Sequence, residues 1–163
     1  MTAPGDFMDA RLRKAADYLL PRRHMREIHP AQLGTDILPI LFIVDIERGL
    51  DGTSLKLRYM GTALDATFKR SLTGRRLEEF IHGPRGADVM QGFRAAADER
   101  SAFWMRQIVQ IKDDVPRFVE GVAIYLEPER LYGALAVGTL ADRSLHTSFE
   151  IVQLERAIAV AAI

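Results

Sequence analysis

Few residues in this chain could do chemistry, and most of them sit in strand-like stretches. Tyr59 ends LKLRYM, Trp104 and Arg106 lie in AFWMRQIVQI, and Tyr125 lies in RFVEGVAIYL. Tyrosine and tryptophan each combine stacking area with one polar handle. A guanidinium among apolar neighbours can hold a carboxylate or phosphate through two parallel hydrogen bonds. Together these groups could hold a small ligand, which is binding rather than bond-making. Two alternatives stay open here: Arg106 points to solvent on the outer face of a sheet, and Trp104 packs in a core or an interface.

Bond-making chemistry finds little support. The chain has no cysteine, which excludes disulfides, Cys-ligated zinc or iron–sulfur sites and thiol catalysis. It has no His-Glu-x-x-His pair, phosphate loop, dinucleotide fingerprint or Gly-x-Ser-x-Gly elbow. Asp45 and Glu120 are the acids flanked by apolar strand residues, and both are expected to face solvent. No enzyme is expected, and no metal site.

The elements that position these residues follow from the apolar pattern. Met8, Leu12, Ala15, Ala16 and Leu19 have helical spacing, with Asp6 placed to cap the start and Pro21 to stop it. This amphipathic helix either packs on the domain or makes a dimer contact. A basic connector, PRRHMRE, follows, and Pro30 opens a short helix that Pro39 ends. Strands are expected over 40–48 and 55–60, joined as a hairpin through GLDG. Thr62 is placed to cap a short helix in which Leu64 and Phe68 share a face at i and i+4. Val89, Met90, Phe93, Ala96 and Ala97 define a longer helix to about residue 100. Strands over 102–111, 117–126 and 131–140 then form an antiparallel meander. Gly133, Ala134, Ala136 and Gly138 in the last of them would let another group approach closely. Thr147 and Glu150 fit a capping box for a C-terminal helix bearing Ile151, Val152, Leu154 and Ile158.

The length, 163 residues, suits one domain, and 48% hydrophobic with 27% charged residues is the balance of a folded soluble protein. The 22 basic and 22 acidic residues cancel, so nothing draws the chain from a distance toward nucleic acid or an anionic membrane. The longest apolar run, ILPILFIV, is far shorter than the roughly 20 residues of a membrane helix. The start is charged throughout, and the expected location is the cytoplasm.

The stretch YMGTALDATFKRSLTGRRLEEF, within this order of elements, resembles the PAS domain family. The similarity is to a bacterial PAS-like group with a Gly-Thr…Leu-Thr-Gly-Arg signature, matched by Gly61-Thr62 and Leu72-Thr73-Gly74-Arg75. It covers about residues 28–142. The resemblance implies an α+β fold: a five-stranded antiparallel sheet with short helices on one face. Residues 1–27 would add the N-terminal helix and connector, and 143–163 a C-terminal helix. It also implies a cup that receives a small ligand or passes a signal to a partner. Tyr59, Leu64, Phe68, Trp104, Arg106 and Tyr125 are the candidates to line that cup.

Cofactors within the family divide by their anchors. A flavin photosensor of the light-oxygen-voltage type needs a reactive cysteine, which is missing. Haem needs an axial ligand, for which His82 is the histidine to name; beside Gly83-Pro84 it would otherwise serve a turn. The cofactor stays unknown. The resulting expectation is a stand-alone PAS-like sensory or protein-interaction module, homodimeric, acting on a signalling partner. The alternative is a small enzyme of the ketosteroid-isomerase type, which needs Asp45 or Glu120 inside an apolar cavity with a raised pKa.

Overall fold

The computed structural model describes residues 7, 9–25, 28–81, 85–109, 117–139 and 150–153. Three α-helices, α1 (Ala10–Leu19), α2 (Thr62–Phe68) and α3 (Gly86–Asp98), accompany six strands. The strands are β1 (Leu41–Gly49), β2 (Gly52–Met60), β3 (Ala102–Val109), β4 (Arg117–Leu126), β5 (Arg130–Thr139) and β6 (Glu150–Gln153). They form one sheet in the order β2-β1-β5-β4-β3-β6 with every pair antiparallel. The expected α+β fold, five antiparallel strands with short helices, is therefore present, with β6 added at one edge.

Alternation along the strands sorts side chains onto two faces. Phe42, Val44, Leu55, Leu57, Phe103, Met105, Val119, Ala123, Tyr125 and Leu131 meet α2, α3 and Leu72 and Leu77 on the inner face. Ile43, Trp104, Val122, Ile124, Tyr132 and Ala134 meet α1 and Leu33, Ile37 and Ile40 on the outer face. Of the two readings of the N-terminal helix, the structure shows packing on the domain: α1 covers the outer face, with its stripe of Leu12, Ala15, Ala16 and Leu19 fully buried against the chain's own sheet.

Four local expectations change. The α2 N-cap is Gly61, with Thr62 the first helical residue and no side-chain cap. The α1 N-cap is Asp9, whose carboxylate accepts the Arg11 N–H at 2.9 Å; Asp6 lies outside the described residues. The helix expected from Pro30 to Pro39 is two 3-10 turns, Pro30–Leu33 and Leu38–Ile40, separated by Gly34 at φ 96°. The C-terminal helix is corrected over 150–153, where β6 pairs with β3, Trp104 opposite Val152. A capping signature is local, whereas the β-branched pair Ile151-Val152 suits the edge of an existing sheet, and pairing prevails. Thr147, Leu154 and Ile158 lie outside the described residues.

Candidate functional site

On the inner face, where the cup was expected, aromatic rings of the chain pack together. Phe93 of α3 meets Phe42 at a centroid distance of 6.0 Å and Phe103 at 4.9 Å, both edge-on. The small residues of β4 and β5 make room for these neighbours. A Cβ on Gly133 would lie 2.2 Å from Phe42 Cζ and 2.4 Å from the Val122 carbonyl oxygen. A Cβ on Gly121 would lie 2.9 Å from Leu135 Cδ1 and 3.1 Å from Met105 Cε. Close approach was expected at Gly133 and Gly138; Phe42 of the same chain approaches Gly133, whereas a Cβ on Gly138 would meet nothing within 4 Å.

Leu64 is buried in this layer, Phe68 packs against it half-buried, and Tyr125 belongs to it at its far end. The Tyr125 hydroxyl donates to Glu129 Oε1 at 3.3 Å, and burial pushes its pKa above the ordinary 10.0. An open cleft of about 270 Å³ lies beside it, lined by Arg100, Tyr125, Glu127, Pro128 and Glu129 at the β4–β5 turn. Arg48 braces that turn, donating to Glu129 Oε2 at 2.8 Å, Asp98 Oδ1 at 3.1 Å and the Ala97 carbonyl at 2.8 Å.

Trp104 and Arg106 lie on the opposite face. Trp104 is buried beneath the outer layer, and its Nε1–H has no hydrogen-bond partner among the described residues. The Arg106 guanidinium stands 4.5 Å from the centre of the Trp104 indole. Its Nη2 lies 3.4 Å from Oε2 of Glu120, its cross-strand neighbour. Glu120 is 1% exposed, which corrects the expectation that it faces solvent. Its Oε1 accepts the Asp9 backbone N–H at 2.9 Å, so a carboxylate from the middle of the sheet meets the N-cap residue of α1.

Asp45 is partly exposed and holds two arginines, Arg58 and Arg130, each at 3.1 Å. Tyr59 is 38% exposed near the end of the edge strand β2. The six candidate ligand residues thus divide: Leu64, Phe68 and Tyr125 inside, Trp104 and Arg106 outside, Tyr59 at the surface. His82, the haem candidate, lies outside the described residues, as do Gly83 and Pro84. Among the described residues no group of three His, Cys, Asp or Glu side chains could hold a metal ion.

No family model matches the chain, and no curated protein does. Among solved structures it is similar to a fungal LOV domain photoreceptor, described as revealing a conserved pathway that integrates blue light and oxidative stress. That similarity has 18% identity and a TM-score of 0.49, over 74% of this chain and 90% of the other. Among the described residues no helix is long and apolar enough to cross a membrane.

The site residues that sequence reasoning missed are Asp9 and Arg48. Asp9 carries the ordinary signal of an N-cap, an acid just ahead of an apolar-periodic run. Arg48 carries none, because its partners lie far along the chain at Asp98 and Glu129.

Proposed function

We propose that the chain is a PAS-like protein-interaction module whose cup is occupied by its own side chains. Its output runs through the outer sheet face and the helix seated there. The observation that carries this is Glu120, a carboxylate 1% exposed that ties β4 to the start of α1 and lies beside Arg106. A charge in that position is costly unless both oxygens are engaged, and engaging them ties helix docking to the sheet. A second link runs from Lys14 of α1 to Asp36 at 2.9 Å, which holds the Asp36 carboxyl below its ordinary range.

The enzymatic alternative has less support. An acid poised for proton transfer needs an oxygen open to a substrate. The Glu120 oxygens face Asp9 and Arg106, and the cleft beside Tyr125 is on the other face of the sheet.

Native mass spectrometry of the purified full chain tests the proposal. The expected mass is that of the polypeptide or a multiple of it, which also reads the oligomeric state. A small molecule retained in stoichiometric amount would overturn the filled-cup account.

A further inference from the structure

The chain is neutral overall, yet between residues 56 and 76 it carries Lys56, Arg58, Lys69, Arg70, Arg75 and Arg76 against one acid, Asp65. The fold gathers these charges. After α2, Lys69 takes a left-handed conformation at φ 57° and Gly74 a second at φ 87°, which turns the chain back onto edge strand β2. There the Leu57 N–H donates to the Arg75 carbonyl at 2.9 Å and the Gly74 N–H to the Leu57 carbonyl at 2.7 Å. Lys56 and Arg76 become bridge partners. Lys56, Lys69, Arg70, Arg75 and Arg76 are all exposed. Among the described residues, the side chains of Lys56, Arg70, Arg75 and Arg76 make no ion pair.

We infer that this basic face, formed by β2 and the loop from Lys69 to Arg76, docks a short acidic segment of a partner protein. Its limits select the partner. Glu47 lies on the adjoining strand β1, and Glu78 and Glu79 follow Arg76 and Leu77. A continuous phosphate backbone or an anionic bilayer would extend past the patch and meet these acids. A short run of carboxylates stays within it. The neutral chain adds no long-range pull of its own, and salt limits the attraction of the patch to about one Debye length, roughly 8 Å at physiological ionic strength. Arginines suit the task, since each can grip a carboxylate through two N–H groups.

The test is fluorescence anisotropy of the full chain with labelled octaglutamate, with short oligothymidylate and phosphatidylserine vesicles as competitors. Octaglutamate binds, weakens with salt, and loses about tenfold or more in affinity with Arg75→Glu/Arg76→Glu. Arg94→Glu, on exposed α3 surface, leaves it unchanged. If the first pair fails to fold by circular dichroism, Lys56→Glu/Arg70→Glu takes its place and carries the same expectation. No octaglutamate binding, binding insensitive to the charge reversals, or preferential binding of oligothymidylate or vesicles overturns the inference. The inference stands apart from the packed cup: a ligand found by native mass spectrometry leaves it intact, and failed peptide binding leaves the account of the cup intact.

Discussion

The Glu120 carboxylate accepts the backbone N–H of Asp9 at 2.9 Å, joining two residues 111 positions apart. Asp9 already uses its own side chain to accept the Arg11 N–H, also at 2.9 Å. The start of α1 is therefore held twice, once by its own cap and once by the sheet. A negative group there also lies near the positive end of the helix dipole.

Glu120→Ala removes the acid that faces Arg106, whose side chain is 14% exposed, together with the acceptor for the Asp9 N–H. The expected loss is about 3 kcal/mol of unfolding free energy, at the lower end for a broken buried pair because Arg106 retains some solvent. Glu120→Gln keeps an acceptor for Asp9 and costs about 1 kcal/mol. Urea titration followed by circular dichroism measures both.

The glycines of the cup separate by what stands opposite. Gly133→Ala forces a Cβ against Phe42 and the Val122 carbonyl, and Gly61→Ala forces one to within 2.3 Å of the Pro39 carbonyl oxygen. Backbone cannot yield as a flexible side chain can, so each is expected to cost about 3 kcal/mol. Gly138→Ala meets nothing within 4 Å and is expected to stay within about 0.5 kcal/mol of the parent. Equal effects at Gly133 and Gly138 in thermal or urea unfolding would contradict the packing described.

Deleting residues 1–20 removes α1 and uncovers the outer face. The sequence alone suggests that this deletion turns a dimer into a monomer. The structure adds a more direct readout, because Trp104 is the single tryptophan and is 3% exposed. Its emission should shift to the red and become quenchable by acrylamide. An unshifted spectrum in the truncated chain would mean that α1 does not cover this layer.

Tyr125 makes stability depend on alkaline pH. Its pKa is raised in the folded chain, chiefly by burial, so the folded state binds the phenolic proton more tightly than the unfolded state does. That contribution is fully present below the unfolded pKa of about 10 and is lost as pH rises through the higher folded value. Above pH 10 the parent chain should therefore lose more stability than Tyr125→Phe, with the difference read from urea midpoints on either side of that pH. Parallel pH profiles would contradict the assignment.

The strands and their meander were legible in the sequence because apolar alternation and turn residues act locally. What covers each face was not. A lone acid in FVEGV reads as solvent-facing until α1 is known to lie over that side of the sheet, and Glu120 was misplaced for this reason. Gly133 signals a close approach, but only the register opposite Phe42 names the approaching group. Residues 150–153 carry a helix-start signature that strand pairing overrides, since the edge of β3 is supplied by tertiary structure. The candidate site suffered most. Trp104 and Arg106 alternate with Phe103 and Met105 along β3, so they had to face away from the cup those neighbours fill.

Hydrogen exchange across α1 tests the coupling of sheet to helix most directly. In Glu120→Ala, which removes the acceptor for the Asp9 N–H, amides of Leu12 to Leu19 should exchange faster than in the parent chain, by a larger factor than amides of β1, β4 and β5. Exchange in α1 unchanged by the substitution, or a uniform rise across helix and sheet alike, would contradict a helix seated through Glu120.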